Sequence, residues 1–449
     1  MTTVLRPRDA EELRRTVDWA VNDGVALDIE GRGSKRAYGP PHRAGHVLSL
    51  ADIAGVVDYQ PEELVITVRA GTSLREVESL LAQRRQMLAF EPPDLGAILG
   101  GPAAEGTLAG ALMCNLAGPR RIAAGAARDH FLGFQGVNGR AERFKSGGKV
   151  VKNVTGYDLS KLMAGSLGTL AALDEITVKV VPAPEKMHTL LLVGLDDPAA
   201  ISVMCAAMGS PHEVSGAVHL PADLAHRSSV DLVAGQGGAV TALRIEGVGP
   251  SVAARLPALR SQFAAAASAT EELHTMRSRL FWEELRDARL LSFTSPLVGE
   301  VGGAQRRREG ALDAASHADT PLPNPPPQGG RGHDHMHLWK ISCPPSDGAA
   351  VVGLIRERRP DALAQYDWSG GLIWLSLAAV EPASDDAGHA AVRGALIRCG
   401  GHATLVRAPE AVRARVPVFQ PRDPALAALS HRVKESFDPK GIFSPGRLG

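Results

Sequence analysis

From residue 7 to residue 84 the chain alternates between two hydrophobic periodicities with short breaks, and this alternation restricts the fold more than any other feature of the sequence. In PRDAEELRRTVDWAVNDG (7–24), Asp9 stands where an N-cap belongs, Leu13, Val17 and Ala20 recur at helical spacing, and Gly24 ends the pattern. VALDIEG (25–31), VLSL (47–50) and VVDYQPEELVITVRAG (56–71) carry strand patterns, whereas SLREVESLLAQR (73–84) returns to the helical period. Elements interleaved in this way build an α/β or α+β layered domain, which we extend to about Pro184.

A chain of 449 residues exceeds one ordinary core. Beyond Pro184, HTLLLVGL (188–195), GAVHLP (216–221), VTALRIEG (240–247) and GLIWLSL (371–377) supply strands and VAARLPALRSQFAAAAS (252–268) a helix. The sequence therefore predicts two domains, 1–185 and 186–449, the second α+β. Residues 295–335 interrupt it with Pro, Gly and charge and no periodicity, the composition of a disordered insertion. Its TPLPNPPPQGGRG core (320–332) also has the form of a PPII recognition segment, and His333, His335 and His337 that of either a metal tract or a solvated linker end. We read the segment as a disordered insertion, with no metal site.

Lys plus Arg equals Asp plus Glu at 49 each, so no electrostatic footprint points to nucleic acid. The N-terminal segment mixes acids and bases without the apolar run of a signal peptide, and no stretch approaches the roughly 18 uninterrupted apolar residues of a membrane helix. The expectation is a cytoplasmic protein without a membrane span. Cys114, Cys205, Cys343 and Cys399 are scattered, with neither a disulfide framework nor the closely spaced thiolates of an iron–sulfur site.

Three glycine-rich segments carry the chemistry. EGRGSKRAYGPP (30–41) follows a strand and offers backbone N–H groups to a phosphate, though a plain tight turn has the same composition. It is not a Rossmann fingerprint, because Arg36 replaces the third glycine and Pro40 and Pro41 stop any helix. GTLAGALMCNLAGPRR (106–121) and GAARDHFLGFQGVNG (125–139) concentrate small residues, which suit either a cofactor surface or close helix packing, with Arg120, Arg121 and Arg128 offering charge to phosphates. The third is KVVKNVTGYDLSKLMAGSLGTLAALDEITVKVVP (149–182).

In this third segment the runs KNVTGYDL, GSLGTL and EITVKV, in that order, resemble the PCMH-type FAD-binding domain of the vanillyl-alcohol oxidase and D-lactate dehydrogenase relatives. FEPP (90–93), LAGPRR (116–121), GGHAT (400–404) and FDPKGIFSPGR (437–447) extend the resemblance to the E subunits of bacterial glycolate oxidases; only 295–335 has no counterpart. The resemblance implies an α+β fold: an FAD-binding domain of two α/β subdomains followed by a smaller FAD-linked oxidase-like domain. It implies that Gly31, Gly33, Ser34 and Lys35 hold the FAD pyrophosphate. Thr107, Ala109, Gly110, Gly118, Arg120 and Gly125 would line the remaining surface, with Gly156, Tyr157, Asp158, Gly168, Thr169 and Ile176 nearby.

There are departures from the pattern. Several relatives attach flavin through a histidine in the first loop, where this chain has Ser34 and Lys35, so FAD is expected to bind non-covalently. Ala109 stands where relatives often have Gly. The G-D-G-N-L-H and G-E-H-G-V-G runs that orient hydroxy acids are missing, and no catalytic residue follows from the sequence; His402 is either a group facing the flavin or a turn histidine. The implied activity is glycolate oxidation to glyoxylate with a non-nicotinamide acceptor, beside a second flavoprotein and an iron–sulfur subunit. A self-sufficient dehydrogenase of another 2-hydroxy acid such as D-lactate, or a non-catalytic scaffold of the complex, would preserve the same loops.

Overall fold

A computed structural model of the chain describes residues 3–41, 44–148, 156–291, 336–381 and 384–448; the expected insertion at 295–335, with His333 and His335, lies outside them. The first helix, Ala10–Asp23, forms as its caps dictate. Asp9 accepts hydrogen bonds from the backbone N–H groups of Glu11 and Glu12, and Gly24 closes the helix in the left-handed conformation at φ 66°. Leu13, Val17 and Ala20 form its buried stripe.

The N-terminal half contains two sheets. Thr3–Leu5, His46–Ser49 and Leu27–Glu30 make a parallel three-stranded sheet in that order. Val56–Gln60, Val65–Arg69, Ala171–Lys179, Phe131–Asn138 and Arg143–Gly147 make a five-stranded antiparallel one. The run VVDYQPEELVITV resolves into a hairpin because Pro61 lacks an N–H for the ladder and Leu64 adopts φ 56° in the turn. One core containing Leu13, Leu48, Ile66, Phe131 and Ile176 serves both sheets.

Residues from Lys186 onward form an antiparallel sheet of eight strands: Ala269–His274, Lys186–Val193, Val240–Gly247, Val214–Leu220, Leu363–Asp367, Leu372–Ala378, Met336–Ser342 and His402–Arg407. Helices Asp197–Met208, Gly249–Phe263, Gly348–Arg358 and His389–Leu396 cover one face over Trp339, Ile341 and Leu375. The other face presents Leu338, Trp374 and Val406 to Tyr38, Leu95, Leu116 and Leu167 of the first domain. Burial on both faces explains why apolar residues occupy both sides of strands such as Lys186–Val193 and Leu372–Ala378 rather than alternating with polar ones.

The chain end crosses back. Helix Pro424–Phe437 leads to a segment in which the Asp438 carboxylate accepts from the N–H groups of Ile442 and Phe443, and Phe443 bridges to Leu27 beside the parallel sheet. Ile442 and Phe443 belong to the same core as Leu13, Leu48 and Ile66, so the end of the chain packs with the N-terminal sheets. The sequence gives no local mark of this return, because the contacts that define it lie more than four hundred residues away.

Candidate functional site

The loop after Leu27–Glu30 is drawn tight by its own charges. The Glu30 carboxylate accepts two hydrogen bonds from the Arg36 guanidinium, at 2.8 and 2.7 Å, and Gly33 turns at φ 79°. Thr107 faces this loop: its hydroxyl caps helix Leu108–Met113 by accepting from Gly110 N–H at 3.0 Å. A Cβ on Gly31 would lie 2.7 Å from the Thr107 hydroxyl oxygen, so the loops approach at a distance that only glycine permits.

Between them opens a cleft bordered by Gly31, Gly33, Ser34, Lys35, Thr107, Ala109, Gly110 and Gly168 among the expected residues. Met113, Cys114, Leu167 and Arg447 also line it. Lys35 is buried; its ammonium donates to Ser34 Oγ at 3.3 Å and, among the described residues, meets no carboxylate. Burial pushes its pKa down, with Cys114 and Asp94 opposing weakly. A buried cation without a counter-ion, set among glycines against a cleft, fits a phosphate group, and the residues present therefore match the pyrophosphate expected there.

The remaining expected residues stand elsewhere. Gly125 turns at φ 88° against Asp129. Gly156 turns at φ 82°, the neighbouring Tyr157 is 89% exposed, and Asp158 caps helix Leu159–Met163. Thr169 donates to the Ser166 carbonyl, and Ile176 is wholly enclosed in the core. Gly118 packs on the Glu91 backbone and accepts from Trp368 Nε1 at 3.0 Å.

Arg120 is committed to an interdomain network. It donates to Glu246 at 2.6 Å and to Glu91 at 3.4 Å, and Arg244 clamps Glu91 through two hydrogen bonds of 3.0 Å. Ser215 donates to Glu246, and Arg244 lies 4.5 Å over the Trp282 ring. Burial alone would raise the Glu91 pKa, but Arg244 and Arg120 hold it down at about 2. The guanidinium of Arg120 is thus paired with Glu246 and Glu91 through one of its amino groups and does not line the cleft.

Beyond Cys114 and Leu167 a second opening continues past Tyr38, His402, Thr404 and Phe419. His402 begins strand His402–Arg407 rather than sitting in a turn; burial lowers its pKa, helped by Lys340 and Arg121. Lys340 pairs across the sheet with Trp374 and Thr404. Burial pushes its pKa down to about 8, with Arg121 adding to the effect. Asp367, buried beneath, is pushed up to about 7 by desolvation against the opposing Trp368 N–H and Arg244. Sequence reading missed Lys340, Trp368 and Trp374, because nothing local separates a strand lysine at a domain interface from one at a surface. Arg447, also missed, lay inside the recognised FDPKGIFSPGR run and pairs with Asp28 at 3.2 Å.

Among the described residues no group of three or more His, Cys, Asp and Glu is placed to hold a metal, and all four cysteines are free. His337, one of the three histidines considered above, is buried against Asp385 at 2.7 Å. No described helix is long and apolar enough to cross a membrane.

Residues 1–147 match the family model of an FAD binding domain. The chain is 31% identical over 440 residues to the glycolate oxidase subunit GlcE of Escherichia coli, covering 98% of this chain and 97% of that one. It is 32% identical over 193 residues to the glycolate oxidase subunit GlcD of Bacillus subtilis, covering 42% and 38%. Among solved structures, p-cresol methylhydroxylase with substrate bound superposes with TM-score 0.69 at 14% identity, over 99% of this chain and 88% of that one. The 4-ethylphenol oxidase of Gulosibacter chungangensis gives the same values; both likenesses concern the fold.

Proposed function

Because this chain belongs to the glycolate oxidase subunit GlcE family of FAD-linked oxidoreductases, we propose that it is the FAD-binding subunit of a glycolate dehydrogenase complex that converts glycolate to glyoxylate. FAD as cofactor and an FAD-linked 2-hydroxy-acid oxidoreductase family are its premises; the substrate and the division of labour among subunits are the proposal.

The observation that carries it is the buried, unpaired Lys35 ammonium facing the glycine-lined cleft. Lys35 neutralises phosphate charge, while Gly31 and Gly33 let the backbone approach and Thr107 fixes the opposing helix. When bound, FAD supplies a two-electron acceptor for the hydride lost from the α-carbon of a hydroxy acid. The first loop holds no histidine, which supports non-covalent attachment. The departure from G-x-G-x-x-G supports a non-nicotinamide acceptor, and the GlcE and GlcD likenesses support a heteromeric assembly. With free, scattered cysteines, electrons leaving this chain pass to a second flavoprotein or an iron–sulfur subunit.

Purified chain should be yellow and release FAD on denaturation without proteolysis. Glycolate-dependent dye reduction should be near zero for the chain alone and appear on co-expression with the partner subunits. A colourless protein, or brisk turnover by the single chain, would defeat the reading.

A further inference from the structure

Two cations on different domains converge on one indole. The Arg121 guanidinium carbon lies 4.5 Å from the Trp368 ring centre, and the Lys340 ammonium lies 5.7 Å from the same ring and 6.0 Å from that of Trp374. Neither side chain meets a carboxylate within 4.0 Å among the described residues, whereas the adjacent Arg120 and Arg244 are paired with Glu91 and Glu246. Indole faces attract cations but do not neutralise them. Two like charges packed on one indole without an anion repel each other, so the arrangement gains from a ligand that carries one.

The position of the pair is also informative. Lys340 sits on the sheet face turned toward the first domain, beside Thr404. Thr404 and His402 border the opening that shares Cys114 and Leu167 with the glycine-lined cleft. The Cys114 thiol, which lines both spaces, is raised by burial and feels Lys35, Arg447 and Lys340 in the opposite sense. Of the acids around the pair, Asp367 acts on Lys340 and accepts from Trp368 N–H at 2.7 Å, and Asp129 acts on Arg121.

We propose that Lys340 and Arg121, held around Trp368, bind the carboxylate of a small 2-hydroxy acid at the interface between the two domains. The assignment deepens the proposed function and rests on it. The Trp368 indole orients both cations, and the carboxylate lies between them with the rest of the molecule toward the cleft.

The test uses the FAD-loaded chain and oxalate, a small carboxylate that does not undergo the reaction, titrated by calorimetry, with inorganic phosphate as comparison. Lys340→Met and Arg121→Met should each weaken oxalate binding at least tenfold, and Lys340→Arg should restore most of the affinity. FAD content should remain at the wild-type level in all three, which separates loss of the site from loss of the fold. Unaltered oxalate affinity in Lys340→Met, no oxalate binding by the wild type, or phosphate binding as tight as oxalate would each overturn the assignment. Lys340-dependent oxalate binding in a complex that does not oxidise glycolate would leave the site standing and refute the proposed reaction instead.

Discussion

Glu91→Gln is the sharpest perturbation of the interdomain network. Glutamine keeps the shape and still accepts the Arg120 backbone N–H, which reaches Glu91 at 3.0 Å, but removes the charge that Arg244 and Arg120 share. The folded-state pKa of Glu91 is about 2 against an ordinary 4.5. At about 1.4 kcal/mol for each tenfold change in proton affinity, that difference corresponds to ~3 kcal/mol of stability. The figure agrees with the roughly 3–5 kcal/mol that follows when one partner of a buried ion pair is removed. Because the folded pKa is depressed, the contribution is complete above pH 4.5 and disappears as pH falls toward 2. Urea unfolding followed by tryptophan emission reports chiefly on the second domain, which holds Trp282, Trp339, Trp368 and Trp374, leaving only Trp19 in the first. Glu91→Gln should lie ~3 kcal/mol below wild type at pH 7, with the gap narrowing between pH 4.5 and 3. A difference under about 1 kcal/mol at pH 7, the scale of an exposed pair, or a gap independent of pH, would refute the charge argument.

Gly31→Val places a Cβ 2.7 Å from the Thr107 hydroxyl oxygen and should markedly lower bound FAD, read as flavin absorbance per chain; wild-type occupancy would remove that approach from the site. Lys340 carries its charge below about pH 8, so oxalate affinity should fall as pH rises through 8 in wild type and stay level in Lys340→Arg. The groups around it do not reverse that sign: Arg121 remains cationic, burial holds Cys114 as a thiol, His402 is neutral there, and Asp367, at about 7, loses its proton before Lys340 does. A flat wild-type profile between pH 7 and 9 would show that Lys340 is not the titrating group.

Local rules made much of the fold legible. The helix at 10–23 follows from Asp9, Gly24 and the Leu13–Val17–Ala20 stripe. The strands around 188–193, 216–220, 240–247 and 372–377 follow from short runs dominated by apolar residues. Met336–Ser342 and Leu363–Asp367 were missed, with Lys340, Gln365 and Asp367 standing among their apolar residues. The glycine loop at 31–35 and Thr107–Gly110 were identifiable separately, since φ preference and small size are properties of single residues; their meeting across one cleft is a tertiary fact.

Arg120 and Arg121 show where sequence stops. Both follow Gly118-Pro119 and carry the same charge; the family resemblance placed Arg120 alone on the cofactor surface, and composition and spacing do not separate the two. In a helix, consecutive side chains diverge by about 100°. At the head of helix Arg121–Ala124, Arg120 accordingly meets Glu246 and Glu91, while Arg121 meets Trp368 and the unpaired Lys340. Composition, caps and periodicity determined the elements and the glycine-lined loops, because those depend on neighbours along the chain. Which arginine locks the domains together and which remains available to an anion depended on residues more than a hundred positions away, and only the packing of the two domains decided it.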